Sequence, residues 1–136
     1  MMRWYFCAVL PLSTILLLCA GCGGGYDQLP TTKVNGNISY QGTALESGSV
    51  TFFPVDGGKH AVGMITKDGA FTLSTYESGD GAVIGKHKVV INVSYEGPDG
   101  VPNSVPRIPK KYFDLKTTPL TVNVTENDNS ILLKLE

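Results

Sequence analysis

Cys22 has the clearest chemistry in this chain, because its thiol directly follows small residues at the end of a long apolar run. The run closes with Leu18-Cys19-Ala20-Gly21-Cys22, and three glycines follow at once. A signal peptidase requires small side chains before its cleavage point, because its cleft admits little more than a hydrogen atom or a methyl group there. The pattern predicts cleavage between Gly21 and Cys22, which makes Cys22 the first residue of the mature chain.

The same stretch resembles a bacterial lipobox, whose cysteine is acylated. One difference is Cys19, which stands where lipoboxes usually carry leucine, with Leu18 one position earlier. Ordinary secretion and a retained membrane anchor are the alternatives. The resemblance favours lipidation of Cys22, palmitate included, and implies an extracytoplasmic protein held on the cell membrane. Gly23, rather than an aspartate, after the cysteine favours the outer membrane where a cell has one.

The residues ahead of Cys22 have the layout of a secretory signal peptide. Arg3 supplies the positive charge, and the apolar run from 4 to 18 is interrupted by Pro11. A transmembrane helix requires roughly 20 uninterrupted apolar residues. We therefore predict a signal peptide over 1–21, the lipidated cysteine and a flexible tether over 22–32, and one domain over 33–136. About ten tether residues span roughly 18 Å root-mean-square.

The cysteine count argues against a disulfide-stabilised domain, and the charge argues against a nucleic-acid-binding protein. Cys7 and Cys19 leave with the signal peptide, so the acylated Cys22 has no thiol to pair with and no disulfide is expected. The mature chain carries ten basic against twelve acidic side chains. Because nucleic-acid binding calls for a basic face, we expect no nucleic-acid partner.

The remaining polar residues do not form a catalytic pattern. The sequence has no G-x-S-x-G elbow and no H-x-x-x-H spacing. His60 lies in a glycine-rich loop and His87 opens a predicted strand at a half-exposed position, so both are expected to be structural or solvated. The oxygen-rich stretch 126–129 suits calcium less well than a hairpin turn, because Asn and Asp side chains hydrogen-bond locally in turns. We expect no enzyme activity and no cofactor.

Two groups of residues are candidates for binding. Arg107, Lys110, Lys111 and Tyr112 form a small basic group that is either a solvated loop or a contact surface, and loops on a rigid scaffold often bind. Tyr76, Tyr95 and Tyr112 are the remaining stacking candidates for a sugar, since Trp4 leaves with the signal peptide. An envelope protein and a glycan are therefore the candidate partners besides the membrane.

Apolar residues alternate with polar ones throughout the predicted domain. About seven short strands with turn residues between them predict an all-β fold, an antiparallel β-sandwich. The stretch 88–95 is expected near the centre of a sheet, and Asp68-Gly69 is expected to form a type I′ hairpin turn. The predicted inward set is Val34, Ile38, Val50, Phe52, Ile65, Phe71, Leu73, Val89, Ile91, Val93, Val122, Val124, Ile131, Leu133 and Leu135.

Several local motifs follow one another along the predicted domain, namely Val34–Ile38, Gly48–Phe52, Thr66–Phe71, Gly85–Val89, Ile108–Tyr112 and Leu120–Val122. Together they resemble the carboxypeptidase regulatory-like domain, a transthyretin-like (prealbumin-type) sandwich common in small bacterial lipoproteins. The resemblance implies a non-catalytic binding or scaffolding module. A carbohydrate-binding module is the main alternative. A hydrolase is disfavoured, because transthyretin-like hydrolases end in Tyr-Arg-Gly-Ser and this chain ends in Leu-Lys-Leu-Glu.

Overall fold

The computed structural model describes residues 27–96, 99, 105–127 and 129–136. The predicted signal peptide, Cys22 and the glycines that follow it lie outside these residues. The elements within them are β1 (Thr31–Thr32), β2 (Val34–Tyr40), β3 (Thr43–Ala44), β4 (Ser49–Pro54), β5 (Ala61–Met64), β6 (Ala70–Thr72), β7 (Ala82–Val83), β8 (Gly85–Asn92), a 3-10 helix (Lys110–Phe113), β9 (Thr121–Val124) and β10 (Asn129–Leu135).

Two four-stranded sheets form the predicted all-β sandwich. One sheet has the order β5-β4-β8-β9, so β8 is an inner strand as expected for the longest apolar stretch. In the other sheet β2 pairs with β10 on one side and with both β3 and β6 on the other. A third, two-stranded sheet joins β1 to β7. Pairs are antiparallel except β2–β10, which is parallel over seven residues.

The sandwich forms because alternate residues of each strand turn inward. In β2, Val34, Gly36 and Ile38 are buried while Asn35 and Asn37 are exposed. Thirteen of the fifteen predicted core residues are buried, and the other two, Val122 and Ile131, pack partly buried against the core. The core also takes in residues outside the predicted set, namely Leu45, Ala61, Ala82, Val83, Ile108 and Tyr112.

The turn chemistry differs from the prediction. Gln41 and Gly42 both have positive φ, 49° and 83°, so the type I′ turn lies between β2 and β3. At Asp68-Gly69 only the glycine has positive φ, and its N–H donates to the Thr66 carbonyl at 2.9 Å. The type I′ assignment there is wrong, because a type I′ turn requires positive φ at both central residues and Asp68 does not have it.

The sandwich has two ends, which are defined by where its strands begin and end. The tether end holds the start of β2, the start of β8 and the end of β4. The far end holds the end of β8, the end of β10 and the 3-10 helix. The register supports this division, since Pro54 pairs with His87 near the start of β8 and Ser49 pairs with Asn92 at its end.

Candidate functional site

The chain enters the sandwich at the tether end and is held there before β2 begins. The Leu29 N–H donates to the Tyr76 hydroxyl at 3.2 Å, and the Ile84 N–H donates to the Pro30 carbonyl at 3.4 Å. Thr31 and Thr32 then pair with Val83 and Ala82. We call this arrangement the tether clamp: Leu29–Thr32 held by Tyr76 and Ala82–Ile84. Residues 29–32, predicted to be tether, therefore belong to the ordered domain.

Asp80 organises the loop that carries the tether clamp. Its Oδ1 accepts the Thr75 N–H at 2.6 Å, and its Oδ2 accepts the Tyr76 and Glu77 N–H groups at 2.9 and 3.0 Å. Burial raises the pKa of this carboxyl, but the hydrogen bonds from the Thr75, Glu77 and Tyr76 amides outweigh burial and lower the pKa below 3.8. The charged form of Asp80 thus fixes the backbone that positions the Tyr76 hydroxyl.

Gly81 brings the same loop into direct contact with the entering chain. Its φ is +89°, and a Cβ built on it would overlap the Thr32 carbonyl. The Thr75 hydroxyl donates to the Gly81 carbonyl at 2.7 Å and keeps this segment in place. Only glycine fits at this point, because the two backbones approach too closely for a side chain.

The surface around the tether clamp is apolar at several points. The exposed fractions of Leu29, Val55 and Ile84 are 42%, 53% and 38%. Leu29, Gly58, Lys59 and Tyr76 line a cleft of about 410 Å³, and the Lys59 ammonium lies 5.4 Å from the centroid of the Tyr76 ring. Sequence reasoning missed this surface because it treated residues 29–32 as tether. The available signal was the apolar Leu29 within an otherwise polar stretch.

His87 is buried, and the predicted half-exposed position is wrong. Its side chain is 0% exposed, because it shares the inward face of β8 with Val89 and Ile91. Its Nε2 lies 2.6 Å from the Val83 carbonyl, which can only accept, so Nε2 carries the proton. Within the described part of the chain Nδ1 has no hydrogen-bond partner. His60 is exposed, with its ring 5.3 Å from the ring of Phe53.

The predicted basic contact surface is divided by the fold. Tyr112 is 3% exposed, and its hydroxyl both donates to the Glu136 carbonyl and accepts the Glu136 N–H, each at 3.1 Å. It anchors the 3-10 helix to the end of β10, and its burial removes it from the contact surface. Arg107, Lys110 and Lys111 remain exposed. The predicted contact surface is therefore reduced to these three basic side chains.

The tyrosines predicted to stack on sugars are all engaged within the protein. The Tyr95 hydroxyl accepts the Ile108 N–H at 3.1 Å, and the Arg107 guanidinium lies 5.2 Å from the Tyr95 ring. The Tyr76 hydroxyl accepts from Leu29, as described above, and Tyr112 is buried. Burial therefore closes the Tyr112 ring to a sugar, whereas the partly exposed rings of Tyr76 and Tyr95 each have a cation beside them.

The stretch 126–129 ends at Asn129, which begins β10 and hydrogen-bonds residues 125 and 127 through its side chain. The Asn129 side chain accepts the Thr125 N–H at 2.9 Å and donates to the Thr125 and Asn127 carbonyls. Asp128 lies outside the described residues. Among the residues that the structure describes, no group of three or more His, Cys, Asp or Glu side chains is placed to hold a metal ion.

No helix in the described ranges has the length and apolar character needed to cross a bilayer. Cys22 and Gly21, the predicted lipidation and cleavage sites, lie outside those ranges. A scan against models of protein families found no match, and searches of curated proteins and of solved structures also found none. The resemblance to carboxypeptidase regulatory-like domains stays a prediction.

Proposed function

We propose that this protein is a lipid-anchored, extracytoplasmic module that binds or scaffolds other envelope components without catalysing a reaction. The stretch Leu18–Cys22 carries the proposal, because an apolar run that ends in Ala-Gly-Cys suits both cleavage and acylation. Two or three acyl chains on one residue hold a protein on a membrane far more firmly than a single chain does.

The clamped entry of the chain supports an anchoring role. Leu29 is the first residue held by a described hydrogen bond, and six residues separate it from Cys22. A lipid on Cys22 therefore acts on a domain whose point of attachment is fixed. This arrangement keeps the point of chain entry within about 25 Å of the membrane, the extended length of seven residue steps.

The transthyretin-like resemblance favours a binding or scaffolding role over an enzyme. The basic group Arg107, Lys110 and Lys111 lies at the far end, because the 3-10 helix is joined to Glu136 and Arg107 lies against Tyr95. On an anchored protein this end is presented to the surrounding compartment. It is the favoured contact surface for an acidic envelope partner, by charge complementarity.

Mass spectrometry of the native N-terminus, combined with fractionation, tests the proposal. The mature protein is expected to begin at Cys22 with a diacylglyceryl thioether and to remain with membranes. Cys22→Ser is expected to leave the sandwich folded, because Cys22 lies ahead of every described element, and to keep the signal peptide or release the protein in soluble form. An unacylated chain that begins elsewhere overturns the anchor.

A further inference from the structure

We propose that the tether end of the sandwich rests on the lipid surface and inserts Leu29, Val55 and Ile84 into its interfacial layer. This inference rests on the proposed anchoring at Cys22 and adds a second, non-covalent contact between the domain and the bilayer.

The first argument is the placement of exposed apolar side chains. The described residues include seven large, exposed hydrophobic side chains, and three of them are Leu29, Val55 and Ile84. Backbone contacts bring these three to the tether end: Ile84 bonds to Pro30, beside Leu29, and the Val55 N–H donates to the Lys86 carbonyl at 2.9 Å. A Cβ on Gly58 would lie 2.8 Å from the Leu29 side chain, so the loop after Val55 lies against Leu29.

The second argument is the reach of the chain ahead of Leu29. Seven residue steps separate Leu29 from Cys22. Such a chain spans at most about 25 Å when extended and about 15 Å root-mean-square when flexible. The far end of β8 lies about 24 Å beyond the tether end, since the seven steps between its eight residues rise about 3.4 Å each. Of the two ends, only the tether end is therefore within the average reach of the bilayer.

The third argument is the residue types around the apolar side chains. Tyr76 lies beside Leu29 with Lys59 over its ring, and tyrosine and lysine are favoured at membrane interfaces because an apolar body can enter lipid while the polar tip stays in water. Their position next to the entering chain fits a surface that meets headgroups.

The charges decide which lipid this surface suits. The exposed charged groups at this end are the basic Lys33, Lys59 and Lys86 and the acidic Asp27, Asp56, Glu77 and Glu126, and the Asp80 carboxylate lies beside Tyr76. Acidic groups outnumber basic ones, so anionic lipid is not attracted to this end and insertion of apolar side chains provides the contact. We expect the contact on phosphatidylcholine vesicles to be at least as strong as on vesicles that include an anionic phospholipid.

Single-cysteine labelling of the acylated protein tests the contact. The mature chain has no thiol besides the acylated Cys22, so Val55→Cys and Lys110→Cys each carry one fluorophore at a known end. Each protein is reconstituted into phosphatidylcholine vesicles with and without nitroxide-labelled lipid. We expect the label at 55 to shift to shorter wavelength and to be quenched by the nitroxides, and the label at 110 to show neither change.

Separate readouts distinguish failure of the contact from failure of the anchor. Protein that does not float with the vesicles lacks the anchor, which overturns the proposed function and this inference with it. Protein that floats while labels at 55 and 110 respond alike keeps its anchor, and the surface contact is then wrong. This second outcome is also expected if a soluble protein, rather than lipid, covers the tether end.

Two substitutions sharpen the test. Ile84→Asp on the Val55→Cys background is expected to reduce quenching at 55 while flotation stays complete, because the acyl chains are unchanged. Leu132→Asp is the matched control, since Leu132 is 61% exposed on β10 and lies outside the tether end. A circular-dichroism melt of each variant checks the fold. Equal quenching in both variants overturns the role of Ile84 in the contact.

Discussion

The two ends of the sandwich are built by different means. At the tether end, amide groups, the Asp80 carboxylate and a close backbone contact at Gly81 hold the entering chain, while Leu29 and Val55 stay exposed. At the far end the arrangement is reversed. The aromatic ring of Tyr112 is buried and Lys111 lies outside it, with its ammonium 4.9 Å from the ring centroid.

This difference implies that the tether end holds the entering chain, whereas the far end contributes to the stability of the whole fold. Hydrogen bonds at an exposed edge open locally, whereas removing a buried ring weakens the whole core. We therefore expect changes at the far end to lower the free energy of unfolding, and changes at the tether end to loosen the tether clamp first. The predictions below test this separation.

The largest effect is expected from Tyr112→Ala at the far end. Loss of this buried ring should lower the free energy of unfolding by about 3–5 kcal/mol, in the range found for large aromatic side chains. Tyr112→Phe keeps the ring and removes the hydroxyl that bridges to Glu136, so about 1 kcal/mol is expected. Urea unfolding measures both. Equal losses in the two variants contradict a packing role for the ring.

A pair of glycine substitutions compares the two ends directly. Gly69 and Gly57 both have positive φ, 77° and 94°, so alanine at either position strains the backbone by about 1–2 kcal/mol. A Cβ at Gly69 would lie 2.6 Å from the Ile38 carbonyl, whereas nothing lies within 4 Å of one at Gly57. Gly69→Ala should therefore destabilise by roughly 1–3 kcal/mol more than Gly57→Ala. Thermal melting of the two variants decides, and a smaller loss for Gly69→Ala contradicts the packing described here.

Asp80→Ala should act on the tether clamp. Removal of the carboxylate leaves the Thr75, Tyr76 and Glu77 amides without their acceptor, at a cost of about 1–2 kcal/mol. Hydrogen exchange should accelerate at these amides and at Leu29, and stay unchanged at Ile91 in the inner strand β8. Asp80→Asn, which keeps one accepting oxygen, should give an intermediate result. Uniform acceleration across the domain contradicts a local role.

The smallest effect is the pH dependence contributed by Asp80. Its pKa in the folded protein is lowered below the 3.8 of an unperturbed aspartate, so the unfolded chain binds the proton more readily. The stabilisation is complete above pH 3.8 and is lost as the pH falls through the folded value. The stability difference between the native protein and Asp80→Asn should therefore shrink below pH 3.8. Urea titrations at several pH values measure it, and a constant difference contradicts the assignment.

Much of the core could be predicted because a half-buried strand displays its inward face in the sequence. The stretch from Val34 to Ile38 alternates cleanly, and its burial follows that alternation. His87 was mispredicted since its polar ring suggested exposure, although it lies two residues before Val89 on the same face. For His87 the alternation of inward and outward residues along the strand predicts burial correctly, whereas the polarity of the side chain does not.

Pairing between distant segments could not be predicted. Two residues are too few to show a period, so β1 and β7 carried no signal of their own. The parallel pairing of β2 with β10 was missed because alternation is the same for either strand direction. The tether clamp depends on pairing between short segments that are distant in sequence, and the predicted tether therefore included residues 29–32, which the clamp holds.

The place of β10 beside β2 also bears on the order in which the fold can form. β2 stands near the start of the domain, yet its seven-residue parallel partner is the last strand along the chain. A chain exported N-terminus first cannot complete this sheet until residues 129–135 have emerged. Until then, β2 has no partner strand along the edge that β10 covers. Contacts between segments so distant in sequence also form slowly. If the chain is exported as proposed, this topology delays closure of the core until β10 has crossed the membrane.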